Sequence, residues 1–168
     1  MRKITELRKG MKNEGIDCLA VVPGPNLYYI TSKKFHLSER PVVLFIEQNN
    51  LTFILPELES QKLSGLDVEF LTYSDALGPQ KRFDDFLEDK NFERIGIESR
   101  IMRHLELNLI DRNNSEIIDS MFLFADLRTK KSKDEIEMIQ KAVIIAENSL
   151  NKIVDNLTSG ISEKDFAS

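Results

Sequence analysis

The hydrophobic pattern of the chain changes period several times, and each change marks an element. Ile4, Leu7 and Met11 recur at helical spacing and Gly15 can supply the left-handed residue that follows a last turn, so residues 2–14 are expected to form a helix. Cys18-Leu19-Ala20-Val21-Val22 is then apolar at every position, as in a strand covered on both faces within a central, partly parallel sheet. Pro23-Gly24-Pro25-Asn26 breaks that run, because proline removes a donor and glycine frees the backbone, and reads as a loop at the strand's carboxyl end.

Pro41 to Glu47 and Leu51 to Leu55 predict an antiparallel pair joined through Gln48-Asn49-Asn50, with asparagine tolerating positive φ in a short connection. Pro56 suits the first turn of a helix that Gly65 ends, and Val68 to Leu71 is the next strand. Pro79 opens a short helix with Phe83, Phe86 and Leu87 inward. Ile95-Gly96-Ile97 returns as a strand, Ser99 is expected to cap a helix carrying Met102, Leu105 and Leu109, and Ile117-Ile118 is a last short strand before the packing segment Met121 to Phe124. Strands alternating with helices predict an α/β fold of three layers, with a mixed sheet of about six strands between helices.

The strongest signal comes last. Ser132-Lys133-Asp134-Glu135 is a capping box that opens a helix expected to reach Leu157, roughly 39 Å at 1.5 Å per residue. Its stripe of Ile136, Ile139, Val143, Ala146, Leu150, Ile153 and Leu157 is widened by Met138, Ala142, Ile144 and Ile145 into more apolar surface than one small domain covers. Gly160 breaks this helix, and Ser162-Glu163-Lys164-Asp165 opens another. One boundary is expected at Asp126 to Lys131, giving an α/β domain over 1–126 and a linker with a long helix over 127–168.

Composition narrows the chemistry. The 168 residues are 41% hydrophobic and 30% charged, with a formal net charge of −5, which gives no cationic footprint for nucleic acid. No run of 18 apolar residues suggests a membrane span, and the first residues carry charges throughout, so a cytoplasmic location is expected. One cysteine, Cys18, and two histidines, His36 and His104, are too few for a Cys/His zinc cluster. Cys18 reads as a buried, inert thiol and His104 as a helix-surface residue. The carboxylate pairs Glu57/Glu59 and Asp84/Asp85 point apart on their helices. Three matches to N-x-S/T, at Asn50, Asn113 and Asn156, carry little weight without a secretory route. Nucleotide-binding glycine loops and hydrolase motifs are missing from the sequence, and the strand run 18–22 offers no carboxylate for a magnesium nuclease.

A set of short motifs nevertheless falls in a recognisable order. Ile16-Asp17 precedes the first strand, and Asn26-x-x-Tyr29-x-Thr31 follows it. Pro56-Glu57-Leu58-Glu59 comes after the hairpin, and then Gly96-Ile97-Glu98. Leu127-Arg128-x-x-Lys131-x-x-x-Glu135-Ile136-x-x-Ile139-x-x-Ala142 and Gly160-Ile161-Ser162-Glu163 close the series. In this order they resemble the amino-terminal domain of the Xaa-Pro peptidases, the prolidase, aminopeptidase P and creatinase family. That family usually has glycine after the motif threonine, where Ser32 stands here.

The resemblance implies a ribonuclease H-like arrangement leading into a larger pita-bread catalytic domain. There, two Mn, Co or Zn ions would be held by two aspartates, a histidine and two glutamates, positions that residues 1–168 do not contain. It implies a non-catalytic domain serving homodimer assembly and restricting entry to small proline-containing peptides, with its own catalytic domain as principal partner. By position, the loop Thr31 to Arg40 would approach a neighbouring subunit's substrate, with His36 and Arg40 as contacts, since arginine presents a fork of donors to a carboxylate. No catalytic or metal-ligating residue is expected in this chain. The alternative is a stand-alone dimerising module of the same fold, without peptidase activity.

Overall fold

A computed structural model describes residues 2–111, 115–155, 157 and 159–166; Asn113 and Asn156 of the N-x-S/T matches lie outside them. In chain order the elements are α1 (Arg2–Glu14), β1 (Cys18–Val21), α2 (Pro25–Thr31), β2 (Val43–Glu47), β3 (Leu51–Pro56) and a 3-10 helix, η1 (Glu57–Leu63). Then come β4 (Glu69–Tyr73), α3 (Gln80–Glu88), β5 (Arg94–Ile97), α4 (His104–Ile110), β6 (Glu116–Asp119), α5 (Met121–Thr129), α6 (Lys133–Asp155) and α7 (Glu163–Phe166). The chain forms two compact units, Met1–Arg128 and Thr129–Ser168.

In the first unit the six strands form one mixed sheet in the order β4-β3-β2-β1-β5-β6. The pairs β1–β2 and β2–β3 are antiparallel, and β3–β4, β1–β5 and β5–β6 are parallel. The unbroken apolar run of β1 follows from its central place. Leu19 and Val21 enter one core with Ile4, Leu7 and Met11 of α1 and Leu123 and Phe124 of α5. Cys18, Ala20 and Val22 enter the other with Phe83, Phe86 and Leu87 of α3 and Leu109 and Ile110 of α4. The α/β architecture with helices on both faces is therefore the expected one. Each fully buried aliphatic or aromatic side chain contributes roughly 1.5–3 kcal/mol.

Close approach decides one residue in this layer. A Cβ on Gly96 would lie 2.6 Å from Leu19 Cδ2 and 2.7 Å from Ser120 Oγ, so β5 sits against its neighbours only with glycine there.

Several local expectations are corrected. Pro25 is the first residue of α2 rather than part of a loop, because a missing N–H costs nothing at that position. The 48–50 connection contains no positive φ; Glu47 N–H instead donates to the Asn50 carbonyl across 3.0 Å. Glu57–Leu63 is 3-10 rather than α-helical, and Pro56 ends β3, its backbone still extended. Ser99 lies in a turn closed by Ile101 and Met102 N–H onto the Glu98 carbonyl. The cap of α4 is formed four residues later, where buried Glu106 accepts from the Arg103 backbone N–H and pairs with its guanidinium. Accordingly Leu109 and Ile110 face inward, Leu105 is exposed, and Met102 packs at the rim of the core from outside the helix.

In the second unit the capping box forms as expected. Ser132 N–H donates to Glu135 Oε2 at 2.8 Å, and Glu135 N–H to Ser132 Oγ at 3.2 Å. The helix it opens ends at Asp155, two residues short of Leu157. Its Ile136, Met138, Ile139, Val143, Ile145 and Leu150 side chains are all exposed. Gly160 takes φ +96, and Asp165 N–H donates to Ser162 Oγ at the start of α7.

The departure at Ser32 has a structural reading. Ser32 caps α2 in the left-handed region, φ 57 and ψ 16, with its N–H on the Tyr28 carbonyl at 2.7 Å. A side chain is strained there and glycine is not. Ser32→Gly should therefore raise stability by about 0.5–1 kcal/mol, read as a higher urea midpoint at unchanged slope.

Candidate functional site

The Thr31–Arg40 loop is pinned along its length. Lys33 Nζ donates to the Ser64 carbonyl at 2.7 Å, and Phe35 is buried with its ring centroid 5.6 Å from that of Phe53, under the Lys62 ammonium. At the far end, Arg40 Nε and Nη2 donate to Asp75 Oδ1 and Oδ2 at 2.7 and 2.8 Å, a two-pronged pair, while Nη1 lies 3.1 Å from Glu39 Oε1. Beside it the Tyr73 hydroxyl donates to the Pro41 carbonyl at 2.7 Å. Burial, with Asp75 nearby, pushes the Tyr73 phenol up. Hydrogen bonding to Arg40 holds the Asp75 carboxyl below its ordinary 3.8, and the same bond raises Arg40. Between the pins, His36 and Leu37 are exposed. Of the two predicted contact residues, His36 thus stands on the surface and Arg40 faces Asp75, a partner the sequence pattern did not indicate.

A second polar group lies at the carboxyl ends of the parallel strands β1 and β5. Asn26, in the first turn of α2, donates from Nδ2 to Glu98 Oε1 at 2.6 Å. Its Oδ1 accepts from Arg128 Nη1 at 3.0 Å, at the end of α5. Glu98 is 1% exposed and Asn26 5%, and Glu98 Oε2 is buried with no hydrogen-bond partner. Burial raises the Glu98 carboxyl, against which the Asn26 amide, the Val22 N–H and the Arg128 charge act. Arg128 also lies over the Tyr29 ring, 5.8 Å from its centroid, with Lys3 Nζ 3.6 Å from the same centroid. Asn26, Tyr29, Glu98 and Arg128 come from three separate motif segments, and no spacing rule linked them. They sit at 102 residues' separation at most and meet only through the sheet.

The remaining candidates have structural explanations. Burial drives the Cys18 thiol well up, so it is not a thiolate nucleophile. His104 is exposed at the start of α4, its Nε2 3.0 Å from Asn108 Nδ2. Asp84 and Asp85 bond along α3 to Gln80 and Lys81, and Glu59 pairs with Lys62. At the opposite, amino-terminal edge of β1, Lys12, Asp17, Glu47 and Asn50 border an open depression of about 590 Å³. Asp17 is engaged there, accepting from Glu93 and Arg94 N–H. Among the described residues no group of three or more His, Cys, Asp or Glu side chains could hold a metal ion, so the donor set of a two-metal centre is not present in them. No helix among them is long and apolar enough to cross a membrane.

A three-layer α/β unit with a mixed six-stranded sheet defines the class of protein. The creatinase/prolidase N-terminal domain family matches residues 3–130, and the chain belongs to that family. It is 27% identical over 173 residues to the Xaa-Pro dipeptidase of Pyrococcus furiosus, covering 98% of this chain and 45% of that protein. The crystal structure of the prolidase from Thermococcus sibiricus superimposes with a TM-score of 0.86 at 26% identity, covering 99% of this chain and 47% of that one. The N-terminal domain of a Streptococcus pyogenes X-Pro dipeptidase, solved by itself, shares the fold with a TM-score of 0.68 at 14% identity, over 74% of this chain and 98% of that one. The chain spans about half the length of the curated relatives it matches.

The Arg40–Asp75 pair carries a pH signature. Asp75 is depressed in the folded state, so the pair's stabilisation is present above the ordinary 3.8 of a free aspartate and is lost as pH falls through the lower folded value. In Arg40→Ala the Asp75 carboxyl carbon should titrate at a higher pH than in the wild type by NMR; an unmoved midpoint would contradict the pairing.

Proposed function

We propose that residues 1–168 are the amino-terminal part of a cytoplasmic, metal-dependent Xaa-Pro peptidase. In this reading residues 1–126 are a non-catalytic domain that supports homodimer assembly and restricts substrate entry, and residues 127–168 are the linker and first helix of a catalytic domain. The whole protein hydrolyses the bond before proline in small peptides, and its two divalent ions, Mn, Co or Zn, are held outside residues 1–168. The observation that carries this reading is the match itself: nearly all of this chain aligns with less than half of a dipeptidase. The exposed apolar side chains of α6 support it, since such a face calls for a covering partner.

His36 and Arg40 are the proposed substrate contacts, reaching the carboxylate or backbone of a peptide held by a neighbouring subunit. The pinned loop keeps His36 outward, and Asp75 occupies the Arg40 fork in the geometry a peptide carboxylate would use, so binding exchanges one carboxylate for the other. A stand-alone dimerising module is the second reading, favoured by the same exposed face of α6. In that case the chain itself should scatter light as a dimer.

Two measurements test the first reading. Residues 1–168 alone should leave an Xaa-Pro dipeptide intact with added Mn, and cleavage would overturn the assignment. In a protein that continues past Ser168 to the length of its relatives, replacing His36 and Arg40 together should raise KM for the dipeptide several-fold with metal content unchanged. Unaltered kinetics would remove these two residues from substrate binding.

A further inference from the structure

The first unit buries a carboxylate that its neighbours satisfy on one side only. Glu98 Oε1 accepts from Asn26, whereas Oε2 is sealed from solvent without a partner. A buried carboxyl with one oxygen unpartnered is costly in either protonation state, and natural proteins retain few of them. Beyond the Val22 N–H and the Asn26 amide, compensation by charge is indirect. The Arg128 guanidinium binds the opposite end of the same Asn26 amide, whose donor faces Glu98 and whose acceptor faces Arg128. The amide dipole is thus aligned between cation and anion, and each hydrogen bond strengthens the other when Glu98 is charged.

The groups facing this carboxyl come from three elements: the Val22 N–H at the end of β1, Asn26 in α2 and Arg128 in α5. Beyond Arg128 lie the Tyr29 ring and, on that ring, Lys3 of α1, whose ammonium donates to the Tyr29 carbonyl at 2.9 Å. Arg128 is the last residue of the first unit, so the relay ties the end of α5 to the centre of the sheet.

We propose that Glu98, Asn26 and Arg128 form a proton-linked latch. With Glu98 ionised, Arg128 is drawn onto the Asn26 amide and the last turn of α5 is held at the carboxyl edge of the sheet; protonation of Glu98 slackens that hold. The latch is internal to residues 1–128 and does not depend on the peptidase reading. The sign follows from linkage. Docked Arg128 favours the carboxylate, so loss of Arg128 makes Glu98 easier to protonate, and protonated Glu98 makes Arg128 easier to release.

The test uses the 168-residue chain and two NMR observables, the titration of the Glu98 carboxyl carbon and the hydrogen-exchange protection of the Leu127 and Arg128 amides, corrected for intrinsic rate. In the wild type, protection should fall on acidification with the same midpoint as Glu98. Arg128→Ala should move the Glu98 midpoint upward, with a smaller shift for Arg128→Lys, which keeps charge but loses the fork. Glu98→Gln should abolish the pH dependence of α5 protection. Different midpoints for the two wild-type observables, or a Glu98 titration indifferent to Arg128, would overturn the latch. Should a variant fail to fold, the wild-type comparison still decides.

Discussion

A sheet closed on both faces is the constraint under which everything else in the first unit is arranged. Central β1 must be apolar on each side, and its neighbours divide their residues the same way: Leu44 and Ile46 join one core and Val43 and Phe45 the other. Because both faces are taken up by packing, polar chemistry is pushed to the ends of the strands and to the connections. The Asn26–Glu98–Arg128 relay sits at the carboxyl edge, and the Asp17 contacts with Glu93 and Arg94 lie at the amino edge. Such an edge is where open α/β sheets present their loops. In this unit the residues there hold one another.

The same constraint explains why short motifs far apart in the sequence meet in one place. Asn26, Tyr29, Glu98 and Arg128 belong to three motif segments and form a buried polar cluster with aromatic and cationic cover. A buried polar network specifies its partners sharply, because leaving one member unpaired costs on the order of 1–3 kcal/mol. These residues therefore fix α2, the end of β5 and α5 against each other. Ser32 shows the complement. Serine takes a left-handed position at the end of α2 that glycine adopts without strain, and the Tyr28 carbonyl still receives its hydrogen bond.

The loop between α2 and β2 combines order with exposure. Lys33, buried Phe35 and Arg40 hold it at three points, leaving His36 and Leu37 outward. Pinned loops of this kind present a side chain at small entropic cost, which suits recognition. The exposed face of α6 is a different case, a broad apolar surface on a single helix. Two features of the same chain thus face outward, one polar and local, the other apolar and extended.

The sequence alone determined what depends on neighbours within a few residues. Hydrophobic period located α1, β1, the hairpin, α3 and α6, and the Ser132–Glu135 box fixed the start of α6 because both its hydrogen bonds span three residues. Short-range signals also misled where two readings compete: Pro25 and Pro56 each suit a helix start, yet one opens α2 and the other ends β3. The pairing of Arg40 with Asp75 was decided only by the tertiary structure, as was the meeting of Asn26, Glu98 and Arg128. Those contacts join residues 35 to 102 positions apart, and no local period encodes which distant strand ends the sheet will bring together.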